Sequence, residues 1–270
     1  MRFMGGWGPS AQASTLHESA LNSLTTSFVR RLRDREPEAW FELWETFGPV
    51  LRGQLARWGK GRIGRETVKD LSQETLTALA TAIDSHDPSR GARFSTWLLA
   101  IARYTLGDEI DRRNAIKRGE GRKPRSLAGS FDCTSSREGP GEAFEREMFE
   151  AKVAAALRKV ERNSELIEFS VYRMRVLDGQ SGRQVAGALG ISPATVSRRL
   201  AQVRRKLRAQ LLEVISMYSF TEEEMDEARR NGLDLNPTKE DEASFDEVVA
   251  EIYHRICARK REYPEPGASS

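Results

Sequence analysis

GQSGRQVAGALGISPATVSRRLAQVRRKLR, residues 179–208, is the stretch from which the fold can be worked out. Ser181 and Gln184 stand at the S-x-x-Q spacing of a capping box, in which each satisfies a backbone N–H that a helix start leaves unpaired. Val185, Ala186 and Leu189 form the inward face of that helix. Gly190 suits the left-handed conformation that ends it, and Ile191 plugs the corner. Ser192 then caps a second helix, with Pro193 at its first position, where a missing N–H costs nothing. Val196, Leu200, Val203 and Leu207 make the second buried stripe. Two short amphipathic helices around a tight corner are the pattern of a helix-turn-helix.

Charge points to a partner. Residues 179–212 hold seven Lys and Arg and no Asp or Glu. Ser197, Arg198 and Gln202 face outward near the start of the second helix, where side chains of such a motif reach base edges. Arg199, Arg204, Arg205, Lys206 and Arg208 surround them, placed for phosphates, which set register without reading sequence. A merely solvated basic helix is the plainer alternative. The caps, the corner glycine and the absence of acid favour DNA.

Working outward, 270 residues suffice for about two domains. Residues 1–25 are small, polar and aperiodic, and are expected to form a disordered tail. Thr26-Ser27 is an N-cap pair before Phe28, Val29 and Leu32. Pro37 opens a helix bearing Trp40, Leu43, Trp44 and Phe47, and Gly48-Pro49 predicts a break or kink before Val50, Leu51, Leu55 and Trp58 continue the apolar face. A helix over 67–84 carries Val68, Leu71, Thr75, Leu76, Leu79 and Ile83 on one stripe. A turn at 87–91 precedes a helix over 94–113, which ends in Arg112-Arg113 against the negative end of the helix dipole. In that helix Phe94 and Trp97, spaced with Leu98 and Ile101, read as core before they read as stacking residues. Residues 115–142, rich in Gly, Ser, Pro and Arg, read as a flexible basic linker. A long helix resumes near 143–160. No strand pattern or internal repeat is present.

Two separated blocks resemble one family. DLSQETLTALATAIDSHDPSRGARFSTWLLAIARYTLGDEIDRR (70–113) is similar to the second conserved region of bacterial RNA polymerase sigma factors of the sigma-70 family, extracytoplasmic-function type. The elements D-L-x-Q-E, F-x-x-W-L-x-x-I-A-R and D-x-x-x-R-R stand in order. Residues 179–208, with T-V-x-x-R-L and R-x-K-L, are similar to the fourth region. The resemblance implies an all-α fold of two helical domains. A region 2-like domain would span 26–114, a linker 115–142, and a region 4-like helix-turn-helix domain 143–213, with an acidic helical extension over 214–270.

The resemblance also implies roles. Asp70, Leu71, Gln73 and Glu74 would dock on the clamp coiled coil of the largest subunit of core RNA polymerase, and the flap would be a second docking point. Arg90, Arg93, Ser95, Thr96, Arg103, Tyr104, Arg112 and Arg113 would hold the −10 promoter element as a single strand, on a basic track with stacked bases. Tyr104 stands where the family commonly has Asn. Arg183, Thr195, Ser197, Arg198, Arg199, Gln202, Arg204 and Arg205 would meet the −35 element as duplex, Arg183 and Gln184 replacing the usual acidic pair of the first helix. Promoter DNA and core polymerase are the implied partners, and an anti-sigma factor is a further one the family allows. A helix-turn-helix regulator that binds DNA without polymerase is the alternative, but it leaves the D-L-x-Q-E block unexplained.

Other classes fit poorly. Asp108 and Glu109 are neighbours on a helix, about 100° apart, a poor chelating geometry. His17, His86 and His254 are scattered, no Gly-rich phosphate loop is present, and Cys133 and Cys257 have no metal-ligand or disulfide spacing. No catalytic residue, metal or cofactor is expected, and a serine recombinase would need strands. No apolar run is long enough to span a bilayer, and a reducing cytoplasm is the expected location. The tail, 216–263, reverses sign, with thirteen acids against seven bases. Thr221/Glu224 and Ser244/Glu247 have capping-box spacing, the second opening a helix with Phe245, Val248, Val249, Ile252, Tyr253 and Ile256 on one face. This segment is expected either to extend the core of the fourth region or to lie against its basic recognition helix and compete with DNA.

Overall fold

The computed structural model describes residues 25–84, 93–117, 141–235 and 242–262. The described residues are helices and turns, with no strand among them, and the all-α expectation holds. In chain order the helices are α1 (25–33), α2 (Pro37–Trp58), α3 (Arg65–Ala82), α4 (Phe94–Lys117), α5 (Glu142–Arg162), α6 (Leu166–Tyr172), α7 (Gly182–Leu189), α8 (Pro193–Met217), α9 (Glu222–Met225), α10 (Glu227–Arg230) and α11 (Glu242–Glu262). A π-helical turn, Arg173–Leu177, follows α6. Residues 1–24 and Arg90 lie outside the described residues, as does 118–140, most of the expected linker.

Several boundaries differ from expectation for identifiable reasons. The predicted break at Gly48-Pro49 does not occur, and α2 runs unbroken from Pro37 to Trp58. Proline removes the N–H that would bond the carbonyl of Glu45. Arg158 of α5 donates to that carbonyl instead, at 3.4 Å. At Gly48 a Cβ would stand 2.9 Å from the Trp44 ring, so glycine lets the indole lie flat on the helix. Helix α4 continues one turn past Arg112-Arg113 to Lys117, so these arginines do not cap its end. Residues 115–117 and 142 are helical rather than linker. Thr26 and Ser27 lie inside α1, and Ser244 lies inside α11, so neither is a cap. The Thr221/Glu224 box forms as expected, but α9 is a single turn.

The corner motif forms as the sequence dictates. Ser181 accepts from the N–H of Gln184, whose side chain accepts from the N–H of Ser181 at 2.8 Å. Gly190 takes φ 64°, and Ser192 caps α8 by accepting from the N–H of Thr195 at 3.1 Å.

The core is continuous across both halves of the chain. Helices α1–α4 pack together, α5 packs on both α2 and α8, and α11 packs on α5 and the π-helical turn. Tyr218, just past the end of α8, is the hinge point of this core. Its ring meets Phe28 of α1 edge-on at 4.9 Å, Phe47 of α2 at 4.7 Å and Phe94 of α4 at 5.6 Å. The Thr25 hydroxyl lies 2.7 Å from the carbonyl oxygen of Ser216. The segment after α8 is therefore an interior element, which the sequence pattern of the helix-turn-helix alone does not predict.

Candidate nucleic-acid interface

The basic side chains of α7 and α8 sort into three groups. Arg183, Arg198 and Arg205 are exposed and have no acidic partner among the described residues. Arg199, half-buried, and Lys206, exposed, pair with acids from the α5–α6 corner: Arg199 with Glu165 at 2.8 Å, and Lys206 with the buried Glu168 at 2.6 Å. Arg204 and Arg208 turn inward. The Arg204 guanidinium grips both carboxylate oxygens of Asp246 on α11 at 2.5 to 3.1 Å and is 13% exposed. Arg208 is buried, lies 4.4 Å over the Phe245 ring and donates to the carbonyl of Asp234 at 3.2 Å. Arg204 thus sits at the border of the outward face, on the side that α11 covers.

The start of α8 is polar and open. Ser197 is exposed, its hydroxyl returning to the carbonyl of Pro193 at 3.3 Å, and Thr195 shares a 2.9 Å hydroxyl contact with Ser192. Gln202 is half-buried and turns one side of its amide into the groove between α8 and the α5–α6 corner.

The start of α4 is built differently. Phe94 and Trp97 are 1% and 2% exposed, in agreement with the core reading. Ser95 is buried and donates to Glu145 of α5 at 2.7 Å. The N–H of Phe94 donates to the carboxylate of Glu224 at 2.9 Å. Arg93 pairs with Glu223 and approaches Glu145 at 3.8 Å. Thr96 is half-buried. Further along, Arg103 is exposed and lies 5.0 Å over the Trp58 ring, a cation–π contact that holds the guanidinium at the surface. Tyr104 is half-buried on the adjoining face.

Arg112 and Arg113 converge on Glu109. Arg113 donates at 2.6 Å and also reaches the Thr67 hydroxyl at 2.7 Å, while Arg112 donates at 2.7 Å. Burial works to raise the Glu109 pKa, but the two guanidinium hydrogen bonds outweigh it and hold the carboxyl below the usual range. On α3, Asp70, Gln73 and Glu74 are exposed in one row, and Leu71 is buried behind them, positioning the row rather than lying on its surface. Burial, then the nearby Glu109 charge, raises the Glu74 carboxyl.

Sequence reasoning missed the acids that meet these cations. Glu165, Glu168, Asp246 and Glu223 stand 34 to 130 residues from their partners, a distance at which no local pattern links them. The one available signal was the acidic sign of the tail.

The sigma-70 region 2 model matches residues 43–116. The sigma-70 region 4 model matches residues 167–207. The chain belongs to the sigma-70 family. Both regions in this order make it a sigma factor of the extracytoplasmic-function type, with a role in promoter recognition. No curated protein matches it. The region 2 match covers most of α2, all of α3 and most of α4; the region 4 match runs from α6 to the middle of α8. Helices α1, α5, α9, α10 and α11 lie outside both matches of this sigma factor. Among the described residues, no helix is long and apolar enough to cross a membrane.

Proposed function

We propose that this sigma factor joins core RNA polymerase and directs initiation at promoters carrying −10 and −35 elements. Residues 26–114 serve as the polymerase- and −10-binding module, and 143–213 as the −35 module. The observation that carries this reading is the pairing, in one chain, of a region 2 match with a helix-turn-helix whose recognition helix keeps Arg198 and Arg205 open to solvent.

In this reading Asp70, Gln73 and Glu74 present a polar row to the clamp coiled coil, backed by Leu71, and the −35 module meets the flap. Arg198, Ser197, Thr195 and Gln202 read base edges, because the early outward residues of a recognition helix reach the major groove. Arg183, Arg199 and Arg205 neutralise phosphates. On the −10 side, Arg103, Tyr104, Arg112, Arg113 and Thr96 face the unpaired strand, Arg93 and Ser95 stand at the start of α4, and Arg90, which lies outside the described residues, joins them as a phosphate ligand. The protein performs no chemistry of its own; the polymerase makes the phosphodiester bonds. An anti-sigma factor would act by covering either module.

Reconstituted run-off transcription with core polymerase tests this. The expected result is a discrete start that requires both proteins. DNA binding by the chain with no polymerase-dependent start favours the regulator alternative instead.

A further inference from the structure

Residues 218–224 cross from the end of α8 to the start of α4, and their side chains fill that start. Phe220 stands edge-on to Phe94 at 5.3 Å and 6.3 Å from Trp97. One carboxylate, Glu224, accepts the N–H groups of Phe220 at 2.8 Å and Thr221 at 3.2 Å in its own helix cap, and that of Phe94 across the interface at 2.9 Å. It therefore closes the beginnings of two helices at once. Glu223 pairs with Arg93, and behind them Lys152 and Glu227 form a buried pair at 2.7 Å that ties the segment to α5. A helix start beside an arginine is a place for a phosphate, since free N–H groups and the helix dipole both favour an anion. In this chain, carboxylates hold that place.

Size makes the arrangement incompatible with a bridged promoter. Sites named −10 and −35 lie about 25 base pairs apart, roughly 85 Å along a duplex rising about 3.4 Å per pair. A compact 270-residue chain has a radius of gyration of about 18 Å, roughly 50 Å across. Its modules cannot touch both elements while α2, α5, α8 and α4 share one core. The twenty-three residues 118–140 reach at most about 80 Å if fully extended, enough to let them part.

We propose that residues 218–224 are an intramolecular clasp: in the free chain they occupy the α4 end used by −10 DNA and hold the two modules together, and promoter engagement displaces them. This rests on the sigma-factor reading above. It also relocates the action of the acidic tail, from the open face of the recognition helix to the opposite module.

Fluorescence energy transfer in the full chain tests the clasp. Dyes go on the exposed positions Lys60→Cys and Ala188→Cys, in a background of Cys133→Ser and Cys257→Ser. The expected result in the free parent chain is a dominant compact population with a minor separated fraction. Phe220→Asp and Glu223→Arg each raise the fraction of separated molecules at least threefold, and the complex with core polymerase on promoter DNA is wholly separated. Unchanged distributions in the variants, or a promoter complex that keeps the free-chain efficiency, overturn the clasp. Glu223 is an exposed side chain, so that variant decides the matter should Phe220→Asp fail to fold. Failure of the parent to bind core polymerase contradicts the sigma-factor reading alone, because the free-chain comparison still reports on the clasp.

Discussion

The starts of α4 and α8 each follow a polar turn, yet they face the rest of the molecule in opposite ways. Helix α8 opens with Ser192, Pro193 and Ala194, all exposed, and its capping is local. Helix α4 opens with Phe94, buried in the aromatic cluster around Tyr218, and its first N–H is capped by a carboxylate 130 residues away. A helix that brings its own cap can present its first turn to DNA. A helix whose first turn is aromatic is drawn into a core, and its polar groups must then be satisfied by whatever packs there. Closure thus falls on the start of α4, and the start of α8 remains accessible.

The sharpest way to break this contrast is to remove the cluster. Tyr218→Ala should cost about 3–5 kcal/mol, the usual cost of deleting a buried aromatic, and equilibrium urea unfolding should then show the two halves melting separately. A shift under 1 kcal/mol with a single transition would mean that Tyr218 does not join them. Nearly as large is the effect of stranding a buried charge. Lys152→Met leaves Glu227 unpaired in the interior and should cost about 3–5 kcal/mol, whereas the double variant Lys152→Met/Glu227→Leu should recover most of it. Equal losses in both would show that the methylene packing of Lys152, and not its charge, matters.

Next comes a test of the sorting on α8. Arg204→Ala should lower stability by about 2 kcal/mol, because Asp246 loses its charged hydrogen bonds, while the salt dependence of −35 DNA binding stays as it was. Arg205→Ala should do the reverse: stability within about 0.5 kcal/mol of the parent, and a slope of log K against log salt shallower by about one phosphate. Arg198→Ala should shift sequence preference by about 1–3 kcal/mol at one base pair. If Arg204→Ala flattens the salt slope as much as Arg205→Ala, α11 leaves Arg204 when DNA binds.

The smallest effect concerns acid. Glu109 titrates below the ordinary carboxylate value, so its contribution is present above about pH 4.3 and is lost as pH falls through its lowered pKa. Thermal melts from pH 6 to pH 3 should show a shallower decline for Glu109→Gln than for the parent. Parallel curves would place the acid sensitivity elsewhere, outside the Arg112, Arg113 and Glu74 surroundings of this carboxyl.

Much of this was legible in the chain. The S-x-x-Q box, the corner glycine and the stripe of Val196, Leu200, Val203 and Leu207 specify α7 and α8 through interactions within a few residues, and they form as read. Phe94 and Trp97 were legible as core from their spacing. The break that Pro49 predicts is absent because the group that compensates for its missing N–H, Arg158, lies more than a hundred residues further on. The helix wheel puts Arg204 at the border of the outward face, as a phosphate ligand, and only Asp246 and Phe245 reveal that α11 claims that edge.

By itself, then, the sequence determined most of the helices, the local caps at Ser181, Ser192 and Thr221 and the two sigma-70 regions, since periodicity, capping and turn chemistry act over three or four residues. Only the tertiary structure decided which cations remain open to DNA, that the halves share one core through Tyr218, and that Glu223 and Glu224 close the start of α4. Those outcomes depend on which distant acid or aromatic ring arrives at a given surface, and that is settled by packing rather than by any local pattern.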